Sequence, residues 1–110
     1  MTIQLHIKPL SVNEAWQGKR FKTPKYKAYE KEVLLMLPRY KIPDGDLEVR
    51  FEFGLQRNAD VDNCCKNLLD ILQKRYSFND SRVMRIELIK KVVKKGTGYF
   101  NFSITGVNDK

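Results

Sequence analysis

Between Arg57 and Asp80 the chain reads R-N-A-D-V-D-N-C-C-K-N-L-L-D-I-L-Q-K-R-Y-S-F-N-D. Asp60 and Asp62 are two residues apart, Lys66 follows Asp62 by four, and Asp80 stands beyond a stretch with helical periodicity. Phosphodiester hydrolysis requires an activated water and neutralisation of charge on the attacking and leaving oxygens, and divalent cations supply both. Mg²⁺ takes oxygen ligands and keeps several of its waters, so two or three carboxylates plus a substrate phosphate suffice to hold it. Read as an extended segment, Asp60-Val61-Asp62 points both carboxylates the same way, about 6.6 Å apart. A helix beginning near Asp62 puts Lys66 about 6 Å further along its axis, in reach of a phosphate oxygen or the attacking water. Asp70 extends that stripe by a turn and supports Lys66 electrostatically, a secondary role. Asp80 completes a trio only if the fold returns residue 80 to the side of residue 60, and the metal reading expects that it does.

Each of these residues also has a plain structural explanation. Asp-x-Asp before a helix serves as an N-cap and a solvated turn, and Asn-Asp-Ser after one is ordinary turn chemistry. What favours a site is the setting. Twenty-one Lys and Arg against thirteen Asp and Glu give a net charge of +8, an excess suited to a polyanionic partner. The single histidine rules out the usual zinc sites. The adjacent Cys64 and Cys65 point about 100° apart on a helix and read as packing thiols in a reducing compartment.

The elements that must position these groups follow from the patterning. At 110 residues, 1–110 reads as a single small domain. Residues 2–8 alternate as a half-buried strand with Ile3, Leu5 and Ile7 inward. Periodicity then vanishes through a loop to Thr23, where Thr23-Pro24 opens a helix carrying Tyr26, Tyr29, Val33 and Leu37. A strand over about 46–55 faces Leu47, Val49, Phe51, Phe53 and Leu55 inward. The spacing of Cys65, Leu68, Leu69, Leu72 and Tyr76 predicts a helix over about 62–76. Two more strands, 83–93 and one bearing Phe100, Phe102 and Ile104, are expected to close the fold as an antiparallel hairpin, leaving 106–110 as a frayed tail. The expectation is α+β, in the order β-α-β-α-β-β, with two helices on a mixed β-sheet. No apolar run is long enough to span a membrane, and an N-terminus that alternates in polarity places the chain in the cytoplasm by default.

The string D-V-D-N-x-x-K-N-L-L-D-I-L, with F-N-D-S-R-V about ten residues on, resembles the RusA family of Holliday junction resolvases common in phages and prophages. P-L-S-V-N-E-A-W-Q-G-K-R-F-K-T and the helix K-Y-K-A-Y-E-K-E are similar to the family's leading region, so the resemblance covers roughly residues 5–105. It implies a homodimeric, Mg²⁺-dependent endodeoxyribonuclease, with Mn²⁺ as a substitute, that nicks opposed strands of a four-way junction during recombination and repair. By the same resemblance Asp60, Asp62 and Asp80 are the metal-binding catalytic acids and Lys66 is the essential basic residue. Asn79 stands where the family often carries a second aspartate, which weakens any helper role there.

The loop at Ser11–Lys27 interleaves Lys19, Arg20, Lys22 and Lys25 with Trp16, Phe21 and Tyr26. Cations beside aromatic faces suit phosphates and unstacked bases at a crossover. With Asn13 and Arg57, the residues Trp16, Lys19, Arg20, Lys22 and Lys25 form the expected DNA-binding set. The competing expectations are a non-catalytic basic nucleic-acid-binding protein on the same fold, and a nuclease with a broader range of branched DNA.

Overall fold

The computed structural model describes residues 2–17 and 21–107. Strand β1 (Ile3–Leu5) buries Ile3 and Leu5 and exposes Gln4, as alternation requires. The stretch expected to be a plain loop contains a short helix, α1 (Val12–Ala15), and a two-stranded ribbon, β2 (Trp16–Gln17) with β3 (Phe21–Lys22). Thr23 then caps α2 (Pro24–Met36): its hydroxyl accepts from the Tyr26 N–H at 3.2 Å and donates to the Glu14 carbonyl at 2.6 Å. One side chain thus starts α2 and ties α1 to it.

Strand β4 (Leu47–Leu55) is followed by a 3-10 turn (Val61–Cys64), α3 (Cys65–Tyr76), a second 3-10 turn (Asp80–Arg82), β5 (Val83–Val92) and β6 (Tyr99–Gly106). Helix α3 ends at Ser77 in a left-handed conformation, φ 56°. Its buried face is Asn67, Leu68, Ile71 and Leu72, one step round from the stripe expected from sequence. These residues pack with Tyr26, Tyr29 and Val33 of α2 against Val49, Phe51 and Phe53 of β4 and Phe100, Phe102 and Ile104 of β6. The opposite face of the sheet carries Glu48, Arg50 and Glu52. The fold is α+β, a helical layer on one face of a four-stranded mixed sheet.

The sheet order is β1-β6-β4-β5, with β4 parallel to β5 and antiparallel to β6. The expected closing hairpin is therefore corrected: β5 and β6 are antiparallel in direction but separated by β4. Helix α3 is a crossover, and a crossover delivers the next strand parallel to the one before it. Residues 93–98 then step over the end of β4, where the Val93 N–H donates to the Leu55 carbonyl at 2.8 Å, and β6 enters on the other side. Gly54 permits this passage, since a Cβ there would lie 2.3 Å from ring carbons of Tyr99. The tail is also corrected in part. Gly106 is buried in β6 and the Val107 N–H donates to the Asp46 carbonyl at 3.0 Å, while 108–110 lie outside the described residues.

Candidate active site

Asp60 directly precedes the first 3-10 turn, and Asp62 lies within it; both are exposed. The extended Asp-x-Asp geometry expected from sequence is thus replaced by a tight turn, and α3 starts at Cys65, not at Asp62. Val61 and Ala59 cause this by packing against the core on either side of Asp60. The Asn63 amide donates to the Asp60 carboxylate at 3.5 Å. Behind the turn, burial pushes the Cys64 thiol up to about 11, with Glu14 and Asp62 adding to the shift. Burial, then Asp62 and Asp70, raises Cys65 as well. Both stay protonated thiols at neutral pH, so the turn offers oxygen donors suited to a hard cation.

Lys66 is exposed on the first turn of α3, with half-buried Asp70 one turn on. The Asp70 carboxyl is raised above the ordinary carboxylate value chiefly by burial; Lys66 opposes the shift and Asp80 adds to it. Asp80 opens the second 3-10 turn, exposed, its N–H donating to the Gln73 side chain at 3.0 Å. Asn79, the departure from the family pattern, has structural work: its side chain caps this turn by accepting from the Ser81 N–H at 2.8 Å. Arg82 fixes the turn from outside, donating to the Gly45 carbonyl at 2.9 Å and to the Pro43 carbonyl.

Asp80 does not join Asp60 and Asp62 within one chain. The parallel register pairs Leu47 with Val83 and Leu55 with Val92, so Asp80 lies beside the start of β4 and Asp60 beyond its end. At strand rise those ends are about 26 Å apart, and α3, which separates the two turns, is itself about 18 Å long. Carboxylates that share one Mg²⁺ bind it at about 2.1 Å each, so their oxygens must nearly touch. Among the described residues, no three His, Cys, Asp or Glu side chains are grouped to hold a metal. The expected three-acid convergence is corrected on this point: a single chain offers the Asp60–Asp62 turn alone, and the crossover carries Asp80 to the opposite end of α3.

A cavity of about 600 Å³ opens at the Asp60 end, between the chain leaving β1, helix α1, the end of β4 and the 93–98 connection. Asp60, Asn13, Asn63 and Glu14 line it together with Lys8, Lys94, Lys95 and His6. Asn13 and Asp60 belong to the sets expected from sequence, and His6, which alternation places on the polar face of the first strand, is exposed. By sequence Lys90 belongs to a basic run with Lys91, Lys94 and Lys95, readable as a solvated run or a contact to the DNA backbone; in the fold its ammonium donates instead to the Arg57 carbonyl at 2.6 Å and to the Ala59 carbonyl, clamping the segment that carries Asp60. Of the other basic residues, Lys22 pairs with Glu30 at 3.5 Å and stands over the Tyr26 ring, and Lys25 pairs with Glu14 at 3.7 Å. Arg57 is exposed. Lys19 and Arg20 lie outside the described residues, as does the side chain of Trp16.

The chain matches the family model described as endodeoxyribonuclease RusA over residues 8–99. It belongs to the RusA family. The match takes in the Asp60–Asp62 turn, Lys66, Asp80 and the cavity walls up to Gly98. No curated protein matches it. RusA proteins are endodeoxyribonucleases that act on branched DNA, and no helix among the described residues of this RusA-family chain is long and apolar enough to cross a membrane.

Proposed function

We propose that the chain resolves four-way DNA junctions as a Mg²⁺-dependent homodimer, nicking two opposed strands, in the cytoplasm of a bacterial or phage-infected cell. The observation that carries this reading is the cavity at the Asp60 end, where an exposed acid stands among Lys8, Lys94 and Lys95. The lysines draw a phosphate into the cavity and the acid holds what must act on it. Asp60 and Asp62 would hold Mg²⁺ (or Mn²⁺), and the bound ion supplies an acidified water and neutralises charge on the phosphate oxygens. Lys66 offers its ammonium to the same phosphate, and Lys90 keeps the acidic segment in place from below. Asp80, a helix length away in its own chain, serves as catalytic acid by facing the Asp60–Asp62 turn of a second copy. Asn13, Trp16, Lys19, Arg20, Lys22, Lys25 and Arg57 are the residues expected to contact the DNA arms.

The test is cleavage of a labelled four-way junction with and without Mg²⁺, comparing wild type with Asp62→Asn, and with linear and forked DNA as parallel substrates. Metal-dependent paired nicks that Asp62→Asn abolishes while junction binding persists are expected. Junctions left intact by the wild type with Mg²⁺ would remove this reading. Equal cutting of forks and junctions would widen the substrate class to branched DNA in general.

A further inference from the structure

The acid and the lysines account for only part of the cavity at the Asp60 end. Its volume of about 600 Å³ is that of a pocket for an organic ligand, roughly 300–1,000 Å³, and exceeds what a phosphate and an ion need. Much of the remaining polar wall is uncharged amide: Gln56, Asn58, Asn13 and Asn63. Asn63 donates to Asp60 at 3.5 Å, whereas the side chains of Gln56, Asn58 and Asn13 make no hydrogen bond among the described residues. Buried Pro9 and Leu55, with half-buried Val93, add apolar surface. We infer that this cavity takes one unstacked nucleobase, that of the nucleotide beside the phosphate to be cut, and that Gln56 and Asn58 bind its edge. The base site rests on the nuclease reading of the same cavity and names the part of the substrate held there.

The chemistry of the wall separates a base from a phosphate. A phosphate offers only acceptor oxygens, and the ammonium groups of Lys8, Lys94 and Lys95 answer those. An amide carries two donors and an acceptor side by side, which matches the mixed edge of a base. The apolar surface suits the flat face of the ring, which gains by leaving water. In an intact duplex that edge is taken by the pairing partner and the faces by neighbouring bases. Freeing a base costs least where it is already unpaired or poorly stacked, as where strands cross in branched DNA.

The backbone holds the two amides ready. Gln56 to Ala59 form a turn closed by the Ala59 N–H, which donates to the Gln56 carbonyl at 3.0 Å. Lys90 donates to the next carbonyl, that of Arg57, at 2.6 Å and to that of Ala59. With these carbonyls engaged inside the chain, Gln56 and Asn58 stand exposed on a pinned turn. Asn58 is two residues from Asp60, at most about 7 Å of chain. A step between nucleotides is about 3.4 Å in a stacked strand and longer once the stack opens. A base bound by Asn58 therefore belongs to a nucleotide next to the phosphate at Asp60. Each of these residues comes from one chain, so the base site is complete without a second copy.

A four-way junction carrying 2-aminopurine tests this, because the analogue brightens when it leaves the stack. The probe is placed on either side of the cut phosphate in turn, and in the middle of an arm as a control. Among the described residues the cavity wall holds no aromatic ring to quench it. Binding of wild type without metal, which keeps the DNA whole, should raise the fluorescence several-fold at one flanking position and leave the arm probe unchanged. The double variant Gln56→Ala, Asn58→Ala should lose most of that rise yet bind the junction within about three-fold of wild type, since phosphate contacts supply most of the affinity. Its single-turnover cleavage in Mg²⁺ should slow about 10- to 100-fold, as for the loss of one or two edge contacts. Both positions are exposed, and circular dichroism verifies that the variant folds. A probe that stays dark on both sides of the cut, or a rise that the double variant keeps in full, would overturn the base site. Either result beside intact Mg²⁺-dependent cleavage removes the base site and spares the nuclease; a rise that the variant loses, with no cleavage by wild type, does the reverse.

Discussion

Replacing Lys90 with methionine keeps the hydrocarbon stem and removes the ammonium that holds the Arg57 and Ala59 carbonyls. Hydrogen bonds to a charged group contribute roughly 1.5–3 kcal/mol each, but Lys90 is only half-buried, and competing water reduces this to about 1 kcal/mol each. Losing both makes local opening of the Arg57–Asp60 segment about 2 kcal/mol easier, roughly a 30-fold shift in that equilibrium. The freed carbonyls are hydrated near the surface, so little further penalty follows. Asp60 sits one residue beyond the clamp, and misplacing a reacting group by about 1 Å costs on the order of 100-fold. Single-turnover cleavage of a four-way junction in saturating Mg²⁺ should therefore slow about 10- to 100-fold. Junction affinity measured without metal should weaken only a few-fold, as for the loss of about one counterion. Lys90→Arg, whose guanidinium can also donate to carbonyls, should recover much of the rate. A Lys90→Met protein that cleaves within two-fold of wild type would refute the clamp as the support of Asp60.

Gly54→Ala drives a methyl into the Tyr99 ring where the chain crosses β4; overpacking of this kind costs about 1–3 kcal/mol, read as a lower urea midpoint. Asn67 is 0% exposed and donates to the Leu10 carbonyl at 2.8 Å, tying the start of the cavity wall to α3. Asn67→Ala should cost about 1–3 kcal/mol by leaving that carbonyl unpaired, and hydrogen exchange at residues 10–15 should quicken. Asp70 has a raised pKa in the fold, so the folded state holds its proton more tightly than the unfolded one, whose value is near 3.8. Its penalty is absent below that value and grows as pH rises through the folded pKa. Asp70→Asn should accordingly melt higher than wild type at pH 7, with the gain vanishing as the pH falls toward 3.8, followed by thermal melts across pH.

The two helices, the long strands and the inward faces of Leu47–Leu55 and Phe100–Ile104 were legible in the sequence because a repeat of two or 3.6 residues is a local property. So were the cap at Thr23 and the packing role of the cysteines, each decided by immediate neighbours. The acids themselves stood out by type and spacing, and the family match covers them. Which strand lies beside which was decided only in three dimensions. Nothing local tells β6 to enter between β1 and β4; the parallel crossover through α3 takes one side of β4 and leaves the other open. The same crossover carries Asp80 a helix length from Asp60, a separation that spacing along the chain does not encode. Lys90 looked like one more basic residue in a run, because the carbonyls it clamps lie 31 and 33 positions earlier. Periodicity reports which way a side chain faces. What it meets there depends on the long-range register, and that register is a property of the whole sheet.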